Sequence, residues 1–180
     1  MSLNKAVFLD RDGVLNHTEI RDGKPYAPTR VEDFKLFDDV EGSIRLLKDA
    51  GFLLVVVTNQ PDVGNGFVEQ SVVEEMNDRM MAKLPLDDIR VCFHKQTDNC
   101  ECRKPKPGML IDAATALNID LRTSFMVGDR GGDVKAGKAA GCKTIFIDRG
   151  YKETKKSTKA DFTAYSIVDA VSQILNSSPR

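Results

Sequence analysis

Short apolar runs alternate with helical patterns along this chain, and that alternation constrains the fold more than any other feature. The apolar runs are residues 6–9, 52–57, 124–127 and 144–147, and a short strand is also predicted near 89–93. Between and after them, apolar residues recur at helical spacing over 40–50, 69–84, 107–117, 133–140 and 166–175. Continuous apolar runs of this length are typical of strands buried on both faces. The alternation therefore predicts an α/β fold with one parallel sheet between two helical layers.

Length and composition narrow the class of protein further. The chain has 180 residues, which favours one domain over residues 1–180, and a net charge of -1 without a basic block, which argues against nucleic acid as a partner. No apolar run is long enough for a membrane span, and the N-terminus lacks a signal-peptide pattern. We expect a cytoplasmic monomer, in which the four cysteines are metal ligands or core residues rather than disulfides.

Polar residues follow three of the predicted strands at the point where each strand ends. They are Asp10 and Asp12 after the first run, Thr58 and Asn59 after the second, and Asp129 after the fourth, with Asp133 one helical turn further on. Arg103 and Lys104 precede a predicted helix between these strands. Because parallel strands place their carboxyl ends at one crevice, these side chains are expected to converge there on a small-molecule ligand.

Asp10 and Asp12 need a compensating group at neutral pH, because two carboxylates so close repel each other. A polar strand-to-loop turn is the simplest alternative to a cation site. A calcium loop of the helix-loop-helix type is excluded, because Val14 stands where a third oxygen ligand is required. Residues 14–38 then form a long polar excursion, which indicates a flap beside the site.

A second cluster combines three cysteines with one histidine: Cys92, His94, Cys100 and Cys102. Three thiolates and one imidazole suit tetrahedral zinc, and four protein ligands would leave the metal structural rather than catalytic. A chance group of reduced cysteines is the alternative. The loop between His94 and Cys100 leads directly to Arg103 and Lys104, so a metal there would aim both cations at the crevice.

Four stretches together resemble the phosphatases of the haloacid dehalogenase superfamily, of the small and nearly capless type. They are Phe8-Leu9-Asp10-Arg11-Asp12-Gly13, Val57-Thr58-Asn59, Lys104, and Gly128-Asp129-Arg130-Gly131-Gly132-Asp133. Within this superfamily, the chain most resembles the branch of heptose bisphosphate and histidinol phosphatases. That resemblance rests on Thr58-Asn59-Gln60, the cysteine cluster and Arg103-Lys104-Pro105. The family implies a Rossmann-like three-layer sandwich. The glycine pair at 131–132 departs from its pattern, in which bulkier residues are usual.

The resemblance implies a role for each of these residues in magnesium-dependent hydrolysis of a phosphomonoester. Asp10 would be the nucleophile and Asp12 the general acid and base. Mg²⁺ would lie between Asp10, the backbone carbonyl of Asp12, and Asp129, with Asp133 behind them. Thr58 and Lys104 would act on the phosphoryl group, and we expect Asn59, Arg103, Lys104 and Arg130 to bind substrate.

Several interpretations remain open at this point. A phospho-acceptor signalling domain also gathers acids, threonine and lysine at strand ends, although its acceptor lies on a middle strand. Arg11 is expected at the surface or behind the catalytic groups, and His17 as an ordinary exposed histidine. For the substrate, the loop between His94 and Cys100 resembles the histidinol phosphatase branch, whereas residues 104–109 resemble the heptose branch. We favour a phosphorylated sugar, a heptose bisphosphate by preference, with histidinol phosphate as the alternative.

Overall fold

A single parallel sheet organises the computed structural model, which describes residues 3–152 and 159–177. Its six strands lie in the order β5-β4-β1-β6-β7-β8, and all neighbours are parallel. The strands are β1 (Ala6–Leu9), β4 (Leu53–Asn59), β5 (Asp88–Cys92), β6 (Phe125–Gly128), β7 (Lys143–Ile147) and β8 (Phe162–Ala164). A separate antiparallel hairpin joins β2 (Glu19–Arg21) to β3 (Lys24–Tyr26).

Helices cover both faces of this sheet, as the sequence predicts. They are α1 (Val40–Asp49), α2 (Pro61–Gly64), α3 (Gln70–Lys83), α4 (Gly108–Leu117), α5 (Gly131–Ala140) and α6 (Ile167–Ser177). Within the described residues, none of them is both long and apolar enough to span a lipid bilayer.

The central strand shows why a continuous apolar run is needed here. Val7 and Leu9 pack into a core that includes Ile44 of α1, whereas Ala6 and Phe8 point into a second core. That second core includes Leu110 of α4. Successive strand residues face opposite sides of a sheet, so β1 is fully buried and its next residue, Asp10, emerges at the edge.

The structure differs from the sequence expectations in four places. Residues 14–38 contain the hairpin β2-β3 and a short turn of 3-10 helix at Val31–Asp33, rather than irregular chain alone. β4 extends through Asn59 before the one-turn helix α2, and β8 is a strand that the hydrophobic pattern did not indicate. Helix α5 begins at Gly131 despite the glycine pair, because the Asp133 carboxylate accepts a hydrogen bond from the Arg130 amide at 3.0 Å.

Candidate active site

The carboxyl ends of β1 and β6 and the first turn of α5 bring three predicted acidic residues together. Oxygen atoms of Asp10, Asp129 and Asp133 all lie within 4.8 Å of one another, and all three residues are buried. Asp10 follows β1 directly, and Asp129 follows the neighbouring strand β6. A cluster of three buried carboxylates requires positive charge nearby, because burial penalises each ionised group.

Lys104 supplies part of that charge from the opposite side of the cluster. Its ammonium group lies 2.8 Å from Oδ1 of Asp10 and 2.7 Å from Oδ1 of Asp133, and it donates to the Val57 carbonyl at 2.7 Å. Burial opposes a charge on Lys104, but the two carboxylates outweigh it and hold the pKa of Lys104 above its usual range. The ammonium therefore stays protonated, and its three hydrogens have three acceptors.

Asn59 fixes the backbone of Lys104, a contact that the sequence did not predict. The side-chain amide of Asn59 donates to the Lys104 carbonyl at 3.0 Å, and its oxygen accepts from the Lys104 amide at 3.1 Å. The nitrogen and the oxygen of the Asn59 side-chain amide are thus both hydrogen-bonded to the backbone of Lys104, although Asn59 also lines the pocket. We assign Asn59 a part in placing Lys104; its predicted contact with substrate stays a prediction.

The pKa values of Asp10 and Asp129 are both raised, as expected for carboxylates that need a cation to stay ionised. Burial, followed by the negative charge of Asp133, raises the pKa of Asp10 to about 6, although Lys104 opposes the shift. Burial and the charges of Asp10 and Asp133 raise the pKa of Asp129 well above its usual range, while Arg130 and the Tyr151 hydroxyl oppose that shift. Neither oxygen of Asp129 accepts a hydrogen bond of ordinary geometry from a described residue. An all-oxygen set of buried carboxylates fits a hard divalent cation such as magnesium.

Two glycines make room for these carboxylates. Gly13 has a φ of +85°, and a side chain there would place Cβ 2.0 Å from Oδ2 of Asp129. A Cβ on Gly128 would lie 2.1 Å from Cβ of Asp133. Both positions therefore exclude any larger residue, so glycine here is a requirement of the carboxylate cluster and not of a turn alone.

Four N–H groups surround the Asp12 carboxylate. Arg11 donates to both oxygens at 3.2 and 3.3 Å, Asn16 donates at 2.9 Å and Gln60 at 2.7 Å. Arg11 is fully buried, donates to Asn77 on α3 at 3.0 Å and lies over the Phe34 ring. Of the two positions expected for Arg11, the surface position is therefore wrong, and the position behind the predicted catalytic groups, here Asp12, is the one observed.

A pocket of about 320 Å³ opens above these residues. Asp10, Asp12 and Lys104 lie among its lining residues, together with Pro25 and Tyr26 of the hairpin. A larger cavity of about 730 Å³ lies beside the start of α1 and the end of α3, but its lining contains no member of the carboxylate cluster. The smaller pocket is the one in which chemistry at Asp10 can take place.

Arg103 and Arg130, the two arginines predicted to bind substrate, both line the pocket but differ in their hydrogen bonding. Arg130 donates through Nη2 to the Pro25 carbonyl at 2.6 Å and so attaches the hairpin to the loop after β6. Arg103 also lines the pocket, and its Nη1 is buried without a hydrogen-bond partner among the described residues. A buried guanidinium nitrogen without a partner is destabilising, and a bound anion would satisfy it.

The cysteine cluster forms beyond the end of β5. The pairs Cys92–Cys100 and Cys100–Cys102 have Sγ–Sγ distances of 3.6 and 3.5 Å, and Nδ1 of His94 lies 3.2 Å from Sγ of Cys102. None of the three cysteines forms a disulfide. Tetrahedral zinc with bonds of about 2.3 Å to sulfur separates its sulfur ligands by about 3.8 Å, so the cluster fits zinc.

Sequence reasoning missed several residues that touch the predicted catalytic groups: Asn16, Gln60, Tyr151 and the buried contact of Arg11. Asn16 and Gln60 lie close in sequence to Asp12 and Thr58, and a polar residue next to a strand end was the available signal. Tyr151 lies far along the chain, and nothing in the sequence connects it with Asp129.

The amino-acid sequence is similar to those of known phosphatases. A family model described as HAD-hydrolase-like matches residues 101–174. The D-glycero-beta-D-manno-heptose-1,7-bisphosphate 7-phosphatase of Pasteurella multocida is 38% identical, covering 93% of this chain and 95% of that protein. The protein of the same name from Haemophilus influenzae is 37% identical, with 93% and 95% covered.

A solved structure extends the comparison to three dimensions. The D,D-heptose 1,7-bisphosphate phosphatase of B. bronchiseptica, crystallised with magnesium and phosphate, superposes with a TM-score of 0.83 at 26% identity, covering 97% of this chain and 99% of that one. The three-layer parallel fold is confirmed by this likeness, and relatives that span nearly the whole chain are phosphoric monoester hydrolases. The chain belongs to the haloacid dehalogenase (HAD) family of phosphatases.

Proposed function

We propose that this phosphatase hydrolyses a sugar bisphosphate, D-glycero-D-manno-heptose 1,7-bisphosphate by preference, with one HAD-like domain over residues 1–180. The observation that supports this substrate is Arg103, a residue that lines the same pocket as Asp10 and whose buried Nη1 has no partner among the described residues. One phosphate would meet Asp10, and the second would meet the guanidinium, whose geometry suits phosphate. The names of the relatives support this choice.

Asp10 carries the first step. Its Oδ1 is held by Lys104 at 2.8 Å, so Oδ2 is the oxygen that attacks phosphorus and gives an aspartyl-phosphate. The bond from phosphorus to the sugar oxygen breaks, and Asp12 delivers a proton to that oxygen. Lys104 offsets the negative charge that Asp10 and the phosphoryl group bring together, and Thr58 donates its hydroxyl to a phosphoryl oxygen.

Asp12 reverses its role in the second step. It takes a proton from a water molecule, whose oxygen attacks phosphorus and breaks the bond to Asp10. Inorganic phosphate leaves, Asp10 is regenerated as a carboxylate, and Asp12 is protonated for the next cycle. Asp10, the backbone carbonyl of Asp12, and Asp129 would hold Mg²⁺, which when bound supplies positive charge beside the phosphoryl oxygens. Asp133 supports the cluster through Lys104 and the Arg130 amide.

Zinc has a separate and structural part in the proposal. Cys92, His94, Cys100 and Cys102 would hold Zn²⁺ with no open position for substrate. The chain continues from Cys102 directly to Arg103 and Lys104, so the metal would restrain the segment that delivers both cations. Because these thiols must stay reduced, we extend the proposal to a cytoplasmic enzyme, and we propose a monomer that acts without nucleic acid or membrane.

Kinetics with paired substrates test the substrate proposal. We expect kcat/KM for heptose 1,7-bisphosphate to exceed that for histidinol phosphate, and a tenfold preference for histidinol phosphate would overturn the choice. Arg103→Gln should lower kcat/KM for the bisphosphate by roughly 10- to 100-fold, the loss of a charged hydrogen bond, and affect a heptose monophosphate much less. Arg122→Gln, an exposed arginine outside the pocket, is the matched control. Equal losses on both substrates would remove Arg103 as the site of the second phosphate.

Histidinol phosphate remains the second candidate because of one observation. Asp62 lies in the pocket lining and offers a carboxylate to a cationic amine. The phospho-acceptor alternative is set aside, since the full-length relatives are named as phosphatases.

A further inference from the structure

Gln60 occupies a buried position between two groups that the reaction uses. It follows β4 directly and is 3% exposed. Its Nε2 lies 2.7 Å from Oδ2 of Asp12 and 2.9 Å from Oγ1 of Thr58. A side-chain amide nitrogen has two hydrogens, so both are used, one on each neighbour.

The direction of these hydrogen bonds matters for Thr58. A hydroxyl has one hydrogen to donate and can accept from other groups. Because Oγ1 of Thr58 accepts from Gln60, the hydroxyl hydrogen of Thr58 remains available for a further acceptor. The amide of Gln60 thus directs the Thr58 hydroxyl as a donor, which is the role that a phosphoryl oxygen requires.

Gln60 also differs from the other partners of Asp12 in where it comes from. Arg11 and Asn16 belong to the same loop as Asp12, and Arg11 is itself held by Asn77 on α3. Gln60 lies 48 residues away in sequence, and its backbone amide donates to the Cys92 carbonyl at 2.8 Å, which extends the β4–β5 pairing. Among the described hydrogen bonds to the Asp12 carboxylate, the one from Gln60 is therefore the one that ties Asp12 directly to the end of a sheet strand.

We propose that Gln60 is a positioning residue that holds the Asp12 carboxylate in line with the leaving oxygen and sets the Thr58 hydroxyl as a donor. The inference rests on the proposed function, since it takes Asp12 as the general acid. Gln60 itself exchanges no proton and bonds to no reacting atom.

The dependence of rate on the leaving group tests this inference. An alkoxide leaves poorly without a proton from Asp12, whereas 4-nitrophenolate needs no proton. General acid catalysis contributes roughly 10²- to 10⁴-fold, so Gln60→Met should lower kcat/KM for an alkyl phosphate by about 10²-fold. The same variant should lower kcat/KM for 4-nitrophenyl phosphate by less than about tenfold, because that reaction needs no acid. A merely structural role would lower both values by the same factor.

Three further variants make the outcome decisive. Gln96→Met removes a glutamine from the lining of the same pocket that has no contact with Asp12 or Thr58, and it should leave the ratio between the two substrates unchanged. Gln60→Asn keeps the amide but shortens its reach, and it should change the ratio as Gln60→Met does. It also serves as the test if Gln60→Met does not fold.

Asp12→Ala separates the failure of this inference from failure of the proposed mechanism. If Asp12→Ala changes the substrate ratio and the Gln60 variants do not, the positioning role is overturned and the mechanism stands. If Asp12→Ala leaves the ratio unchanged, Asp12 is not the acid, and both assignments are overturned. A parallel change in Asp12→Ala and both Gln60 variants supports the inference.

Discussion

Replacing Lys104 by methionine tests whether the active site is held together by charge. The side chain of Lys104 is 3% exposed, and those of Asp10 and Asp133 are 10% and 4% exposed. Methionine fills a similar volume but offers no hydrogen to either carboxylate. The Lys104→Met protein would therefore keep two buried carboxylates and lose the cation that both contact.

The expected loss of stability follows from that geometry. Removing one partner from a buried ion pair costs about 3–5 kcal/mol, because the remaining charge is left buried and uncompensated. Lys106→Met is a matched control two residues away, since Lys106 pairs with Glu101, whose side chain is 85% exposed. An exposed pair contributes about 0–1 kcal/mol, so the control should lose little.

Urea unfolding in magnesium-free buffer measures the difference. With a slope of about 2 kcal/mol per molar, the midpoint of Lys104→Met should fall by about 1.5–2.5 M, and that of Lys106→Met by less than about 0.5 M. Equal shifts in the two variants would refute the view that Lys104 compensates a buried acidic cluster.

The same variant should show a distinctive dependence on pH. Burial already raises the pKa of Asp10 to about 6 in the folded protein, against 3.8 for an unperturbed group, and loss of the ammonium would raise it further. A carboxyl whose folded-state pKa is raised stabilises the fold at low pH, and that stability is lost as pH rises through the folded-state value. The deficit of Lys104→Met should therefore be largest above about pH 7 and shrink towards about pH 4.

Three further changes address the nucleophile, the zinc site and the close approach at Gly13. Asp10→Asn should abolish turnover and trapping of beryllofluoride while circular dichroism stays unchanged; a tenth of normal turnover would contradict its role as nucleophile. Cys100→Ser should lose zinc in elemental analysis and lower the melting temperature, whereas Cys142→Ser should keep its zinc; full zinc in Cys100→Ser would exclude the site. Gly13→Ala should weaken magnesium binding in calorimetry by displacing Asp129, and unchanged affinity would count against that contact.

Much of the fold follows from the sequence because its central strands are buried on both faces. A run such as Ala6–Leu9 has few alternatives to a central strand, and the polar residue after it must then emerge at the sheet edge. The convergence of Asp10, Thr58 and Asp129 follows from the parallel arrangement alone. The site could be predicted to that extent without any knowledge of side-chain contacts.

The features that the sequence did not reveal depend on contacts between distant segments. β8 has three residues, which is too short a pattern to indicate a strand, and among the described strands it pairs with β7 alone. The hairpin β2-β3 is mostly exposed, and a partly buried pattern is what a strand prediction needs. Arg11 is buried because Asp12, Asn77 and Phe34 surround its guanidinium, and two of those three lie on other parts of the chain.

The saturated hydrogen bonding of Lys104 also limits what this lysine can do as a chemical group. An amine forms an imine with an aldehyde only when it is unprotonated and can reach the carbonyl carbon. The carboxylates of Asp10 and Asp133 keep Lys104 protonated, and its three hydrogens are directed at oxygen acceptors. Reducing sugars in solution present open-chain aldehydes of this kind. The contacts that keep Lys104 charged thus also keep its nitrogen from reacting with them.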